Sequence, residues 1–371
     1  MFLRVTIPLI FALGVFGEAL ACAGFGDGAR YAFSASVEAR RVIVIDMEEQ
    51  ALASEIRLDL APDLVAASDV LKILIIAHRS AQKLTLVDLR DSDLPQIEYP
   101  LVIAPDYIDV SPIGETVAIF DRGRGVLEIH AIKRRDILLH VTGISSSADL
   151  TFSADGSSVY WVDDKTGGLN SIDLWSKRNF LQIAEPGQRL SAMSRTADGL
   201  LGFVSNADSG DVYVINLRGF DLIATLRVAP NPGRPWGTAD GRYMFIPDGS
   251  QNTISAISTA DLRHRYTVKV DDRPLSIHSG WLDTVIAVVG ASGSVVMLDV
   301  ESGRVLASHR LSDQPQEGIV TSDSKTLAVP VAKSGEFVFL NMRTQSLGTV
   351  LQGLPYDLGE ASMAISNNLC H

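Results

Sequence analysis

A unit of about 42 residues recurs eight times along this 371-residue chain, and no other property restricts its fold so tightly. The best-formed copy is Phe203-Val204-Ser205-Asn206-Ala207-Asp208-Ser209-Gly210-Asp211-Val212-Tyr213-Val214-Ile215-Asn216-Leu217. Its two apolar, β-branched runs flank a short polar segment ending in glycine, the pattern of a tight hairpin. A third strand is expected over Leu222 to Val228. The position of Asn216 recurs as Asp46, Asp88, His130, Asp173, Ser258, Asp299 and Asn341, at intervals of 41 to 43 residues. The runs ahead of these marks alternate or are continuously apolar, and none has a helical period.

Each mark is preceded by a second run, such as Ile73 to Ala77, Thr116 to Phe120 or Tyr243 to Ile246. Ahead of that lies a shorter strand introduced in most copies by proline, at Pro62, Pro105, Pro186, Pro235, Pro274, Pro315 and Pro355. Four short strands per copy predict an all-β chain forming a single β-propeller of four-stranded blades. The first copy, near Tyr31, lacks its proline-introduced inner strand, while Gly359 to Ser366 is an inner strand with nothing after it. Pairing the two closes the ring and removes exposed sheet edges. Eight marks give an eight-bladed ring, with a seven-bladed ring and one stray repeat as the alternative.

The Phe203 to Leu217 copy resembles the YVTN family of β-propeller repeats, whose consensus runs Tyr-Val-Thr-Asn, a Ser-Gly turn, then Val-Ser-Val-Ile-Asp. Phe203-Val204-Ser205-Asn206, Ser209-Gly210 and Val212 to Asn216 carry the likeness. Ser292-Gly293 with Val295 to Asp299, and Ser334-Gly335 with Phe337 to Asn341, follow it more loosely. The resemblance implies a fold over residues 31 to 366 and says little about activity, because its residues build blades.

The amino terminus reads as a secretory signal peptide over residues 1–21, with the propeller domain over 22–371. A cationic start at Arg4 precedes an apolar run from Val5 to Phe16 and the small-x-small sequence Ala19-Leu20-Ala21. That run is too short to span a bilayer comfortably, so the expected location is periplasmic or secreted, with no membrane span in the mature chain. The two cysteines, Cys22 and Cys370, lie near the two ends. A disulfide between them fits an oxidising compartment and a closed ring. Acylation of Cys22 as a lipoprotein is the alternative, and it lacks the usual large aliphatic residue three places earlier.

A formal charge of -12 disfavours nucleic acid and anionic lipid as partners. The one basic cluster, Lys133-Arg134-Arg135, reads as a solvated loop. Repeated Asp and Asn at strand ends read as turn caps. The seven histidines show no ligand spacing, so no metal site is expected from local motifs. Nucleophile elbows, phosphate loops and dinucleotide fingerprints are also missing.

Ligands of propellers usually sit at the mouth of the central channel, lined by the first residues of the inner strands. Arg189, Arg234 and Arg273 fall there on three successive blades, with Trp236 beside Arg234 and with Tyr107, Glu317 and Glu360 at comparable places. His78 at a strand end and His278 in an inner strand are possible ligands or proton carriers. Guanidinium forks beside an aromatic suit a planar polycarboxylate. The competing view pairs each arginine with an inter-blade carboxylate.

Two functions follow. One is an exported, non-catalytic scaffold for a periplasmic protein or small anionic ligand. The other is a propeller carrying a carboxylated cofactor, since exported eight-bladed propellers resembling this one include haem d1 binders and pyrroloquinoline quinone enzymes. Hydrolysis of a lactone or ester at a channel metal ranks last.

Overall fold

The computed structural model describes residues 28–164, 167–177, 179–183 (backbone) and 190–363. Thirty-two strands form eight four-stranded antiparallel sheets, each an uninterrupted meander apart from the first. The first blade joins Tyr31–Ser36, Arg41–Asp46 and Ala51–Arg57 to the last strand, Leu358–Met363, which pairs with Tyr31–Ser36. The ring therefore has eight blades, closed by strands from opposite ends of the chain. The Ser34 hydroxyl donates to the Gly359 carbonyl at 2.8 Å, and the Asp357 carboxylate accepts from the Ser36 hydroxyl at 2.5 Å and the Glu38 amide at 2.6 Å. The stretch expected to be a signal peptide, and both Cys22 and Cys370 of the expected disulfide, lie outside the described residues.

Sequence pattern follows position within the blade. The second and third strands are covered on both faces by neighbouring blades, so they run apolar without alternation; Val285–Gly290 is buried throughout. Outer strands face solvent and alternate, as in Asp221–Arg227. The core is a series of slabs between adjacent blades. One slab joins Phe120, Leu127 and Ile129 of the third blade to Phe152, Val159 and Trp161 of the fourth. Another joins Ile43 and Ile45 of the first to Phe337 and Phe339 of the eighth, so closure is apolar as well as hydrogen-bonded.

The repeated glycine has a steric cause. Gly210 has a φ of 77°, and a Cβ there would lie 2.6 Å from the Ala229 carbonyl oxygen where the connection to the next blade crosses the hairpin. Gly125 repeats this against Ile144. Glycine meets both demands without strain, whereas Arg40, Gln82 and Asn252 adopt the left-handed backbone at the corresponding turns of the first, second and sixth blades.

Candidate ligand site in the central channel

The inner strands begin at Leu64, Tyr107, Asp149, Leu190, Trp236, Pro274, Ile319 and Leu358. Pairing with the second strands sets their register. Ala66, Asp109, Thr151, Ser194, Trp236, His278, Ile319 and Ser362 each stand opposite the third residue of the neighbouring strand. All eight line the channel. Because side chains alternate along a strand, the channel-facing layer above holds the residues two places earlier, which include Tyr107, Asp149, Arg234, Glu317 and Glu360.

Arg234 commands that upper layer. Its guanidinium forms an ion pair with Asp149. Asp149 belongs to the fourth blade and Arg234 approaches the sixth, so the pair reaches past the fifth blade at the channel. Asp149 also accepts from the Met193 amide at 2.9 Å. Arg234 is ringed by protein yet keeps 43% of its side chain open to the channel water. Desolvation opposes its charge, but Asp149, Tyr107, Glu317 and Asp109 together outweigh that and raise its pKa.

Below Arg234, Trp236 packs against His278 with ring centroids 5.7 Å apart. Trp236 borders three adjoining cavities of about 120, 210 and 440 Å³. It is thus the shared wall of the channel. His278 is buried, and its Nε2 is 2.8 Å from the Ser276 hydroxyl.

The acids around this core hold protons unusually well. Burial pushes Asp109 up to about 6 against the pull of Arg234 and Arg195. Burial, with Glu360 nearby, pushes Glu317 up to about 7. Glu360 rises for the same first reason, and burial holds the Tyr107 hydroxyl well above its ordinary value. At neutral pH the channel therefore contains the guanidinium groups of Arg234 and Arg195, one aromatic pair and, in Glu317, a carboxyl group able to donate as well as accept hydrogen bonds.

The residues singled out in the sequence do not all meet. Arg234, Trp236 and His278 share one cavity, and Glu317 faces Trp236 and His278 in the next. Tyr107 sits in the upper layer, its hydroxyl 3.4 Å from the Leu150 carbonyl. Arg273 stays exposed at the outer vestibule, which it shares with Arg234 and Trp236. Arg189 lies outside the described residues. His78 is away from the channel lining: it is buried, with Nδ1 2.8 Å from the Ala61 carbonyl oxygen and Nε2 2.8 Å from the Thr85 hydroxyl. Of the three arginines expected there, Arg234 reaches the channel already paired with Asp149 and Arg273 stays at the vestibule. Asp109, Asp149 and Arg195 were missed. Arg195 lines the same cavity and donates through Nε to the Phe152 carbonyl at 2.9 Å. Counting back four residues from the Ser or Thr that ends each inner strand would have found Asp149 from Ser153, as it finds Tyr107, Arg234 and Glu317.

No family model matches the chain. Over 162 residues it is 28% identical to Protein NirF of Pseudomonas aeruginosa, a match covering 41% of this chain and 41% of that protein. The chain thus spans about two fifths of the length of that curated relative. The solved structure described as dihydro-heme d1 dehydrogenase NirN in complex with DHE superposes with a TM-score of 0.74 at 14% identity, covering 91% of this chain and 76% of that one. Apo AztD from Citrobacter koseri gives a TM-score of 0.65 at 12% identity, covering 90% and 97%. The chain is an eight-bladed β-propeller, similar in fold to NirN and AztD and in part of its sequence to NirF.

Proposed function

We propose that the channel binds a planar, carboxylated tetrapyrrole of the haem d1 class, and that the protein handles this cofactor in the periplasm rather than serving as a plain scaffold. The partial likeness to NirF and the fold shared with NirN support this reading. The observation that carries it is Arg234, held across the channel beside the Trp236–His278 pair.

These residues fit such a ligand. Arg234 exchanges Asp149 for a ligand carboxylate, keeping a charge-assisted hydrogen bond in either state. Trp236 supplies an apolar face, and His278 an imidazole beside it. Glu317, protonated in part at neutral pH, donates to a ligand oxygen, and the raised pKa of Glu360 also lessens the negative charge facing the ligand. The bound group would supply redox chemistry, while the chain binds and orients it and excludes water. The described residues include no group of three or more His, Cys, Asp or Glu placed to hold a metal ion.

Titration with haem d1, monitored by visible absorption and gel filtration, tests the proposal. Equimolar binding is expected, weakened about tenfold or more in Arg234→Ala and Trp236→Ala and unchanged in His78→Gln. Equal affinity for the corresponding methyl ester, or binding indifferent to Arg234 and Trp236, would refute it. Export rests on the amino-terminal sequence; a secreted product beginning at Cys22 by mass spectrometry supports it, and retention of Met1 opposes it.

A further inference from the structure

The third blade and its neighbours carry a second cavity, of about 310 Å³, on the opposite end of the ring. It is built from turns between the first and second strands, at Leu71, Ile113 and Gly156, and between the third and fourth, at Lys133 and Trp175. In an antiparallel meander those turns lie at the far end from the connections that deliver Arg234, so this cavity is separate from the channel mouth. Its walls are apolar, and Trp175 at its edge is 70% exposed. The surface beyond continues with Val70 and Ile137, 52% and 48% exposed. Exposed apolar groups gathered around a concavity mark a binding surface more often than scattered ones do.

Charge selects the ligand. Lys133 lines the cavity and has no ion-pair partner among the described residues. Arg134 lines it too and is 3.4 Å from Asp136. The single acid of the lining, Glu115, is exposed. A basic rim in a chain of charge -12 is a local inversion, not a sample of the average surface. The wall also holds Thr116, a 6% exposed residue whose hydroxyl has no hydrogen-bond partner. Buried hydroxyls are rarely left so, and a ligand oxygen would satisfy this one after a turn about χ1.

We propose that this cavity binds a small amphiphilic carboxylate of about ten heavy atoms in all, an apolar body with one anionic head. The body lies against Leu71, Ile113 and Trp175, and the head meets Lys133. The site does not depend on the channel ligand, so either proposal can fail alone.

Octanoate is the probe. Its binding to the full chain is read by calorimetry and by the fluorescence lost in Trp175→Phe. Saturable binding in the range of about 1 mM or tighter is expected, about fivefold weaker in Lys133→Glu, about fivefold weaker again for octanol with the unaltered protein, and unchanged in Arg234→Ala. Glu115→Gln should tighten it. Thr116→Val, which removes the unpartnered hydroxyl, should leave the free protein at least as stable and weaken octanoate. Failure of the unaltered protein to saturate overturns the proposal, and so does equal binding of octanol and octanoate. Unchanged affinity in a folded Lys133→Glu variant does the same.

Discussion

Glu128 and Glu317 are both withdrawn from bulk water, yet they live in opposite circumstances. Glu128, in the third blade, is 1% exposed. Its carboxylate accepts from His130 Nε2 at 2.8 Å and from His140 Nδ1 at 2.9 Å, and the far nitrogen of His130 meets the Tyr99 hydroxyl at 2.7 Å. Both carboxylate oxygens of Glu128 and both ring nitrogens of His130 have partners, and the contact between Tyr99 and His130 ties the second blade to the third. Glu317 has no hydrogen-bond partner among the described residues, and burial beside Glu360 raises its pKa to about 7. The contrast separates two uses of a shielded acid. A saturated one holds blades together, whereas an unsaturated one leaves capacity for a ligand.

The largest expected break is Glu128→Leu. Removing the shared carboxylate ends two charge-assisted hydrogen bonds and leaves the buried Nε2 of His130 without its partner, so a loss of about 3 kcal/mol is expected in urea unfolding. Affinity for the channel ligand should not change. Glu317→Gln should do the reverse, altering ligand affinity while leaving stability equal or slightly higher. Next is Asp357→Ala, which removes the two hydrogen bonds that the latch makes to Ser36 and Glu38. About 2 kcal/mol should be lost in the same assay, without effect on the ligand.

Smaller effects come from pH, with opposite signs in the two regions. Glu317 has its folded pKa raised from 4.5 to about 7, so it favours folding below 4.5 and that contribution is lost as pH rises through 7. Asp109 behaves alike between 3.8 and about 6. His130 has its pKa lowered from 6.5, chiefly by burial, although Glu128 pulls the other way. Its contribution is full above 6.5 and declines as pH falls. Unfolding free energies from urea between pH 4.5 and 8 should therefore show Glu317→Gln gaining about 1 kcal/mol on the unaltered protein at the alkaline end, after allowance for channel water. In His130→Gln the difference from the unaltered protein should shrink at the acid end.

The ring was legible because its causes are local and repeated. Strands covered on both faces must be apolar, and hairpins crossed by a connection favour glycine, so most blades wrote the same message. The closing pair Tyr31–Ser36 and Leu358–Met363 was legible as two fragments of one such unit. The site was legible only in part, since its layers are set by register. Counting from the prolines placed Arg189 and Arg273 beside Arg234. The inner strands of the fifth and seventh blades each contain a register shift, between Leu190 and Ala192 and between Pro274 and Ser276. A bulge of this kind adds a residue, and Arg273 stands five places before the channel-facing His278 where Arg234 stands two before Trp236, which leaves it at the vestibule. Asp109 and Asp149 escaped notice because an acid in an inner strand has no local signature. Its neighbours across the channel come from blades two repeats away. His78 misled for the complementary reason: a histidine at a strand end looks free until the Ala61 carbonyl and the Thr85 hydroxyl are folded against it.

The central claim, a ligand site organised by Arg234, Trp236 and His278, is tested most directly by a crystal structure of the protein with haem d1. The expected map places the ring in the channel against Trp236 and His278, with a ligand carboxylate on Arg234 in place of Asp149. A ring bound on the outer rim, with the Arg234–Asp149 pair intact and the channel filled only by water, contradicts it.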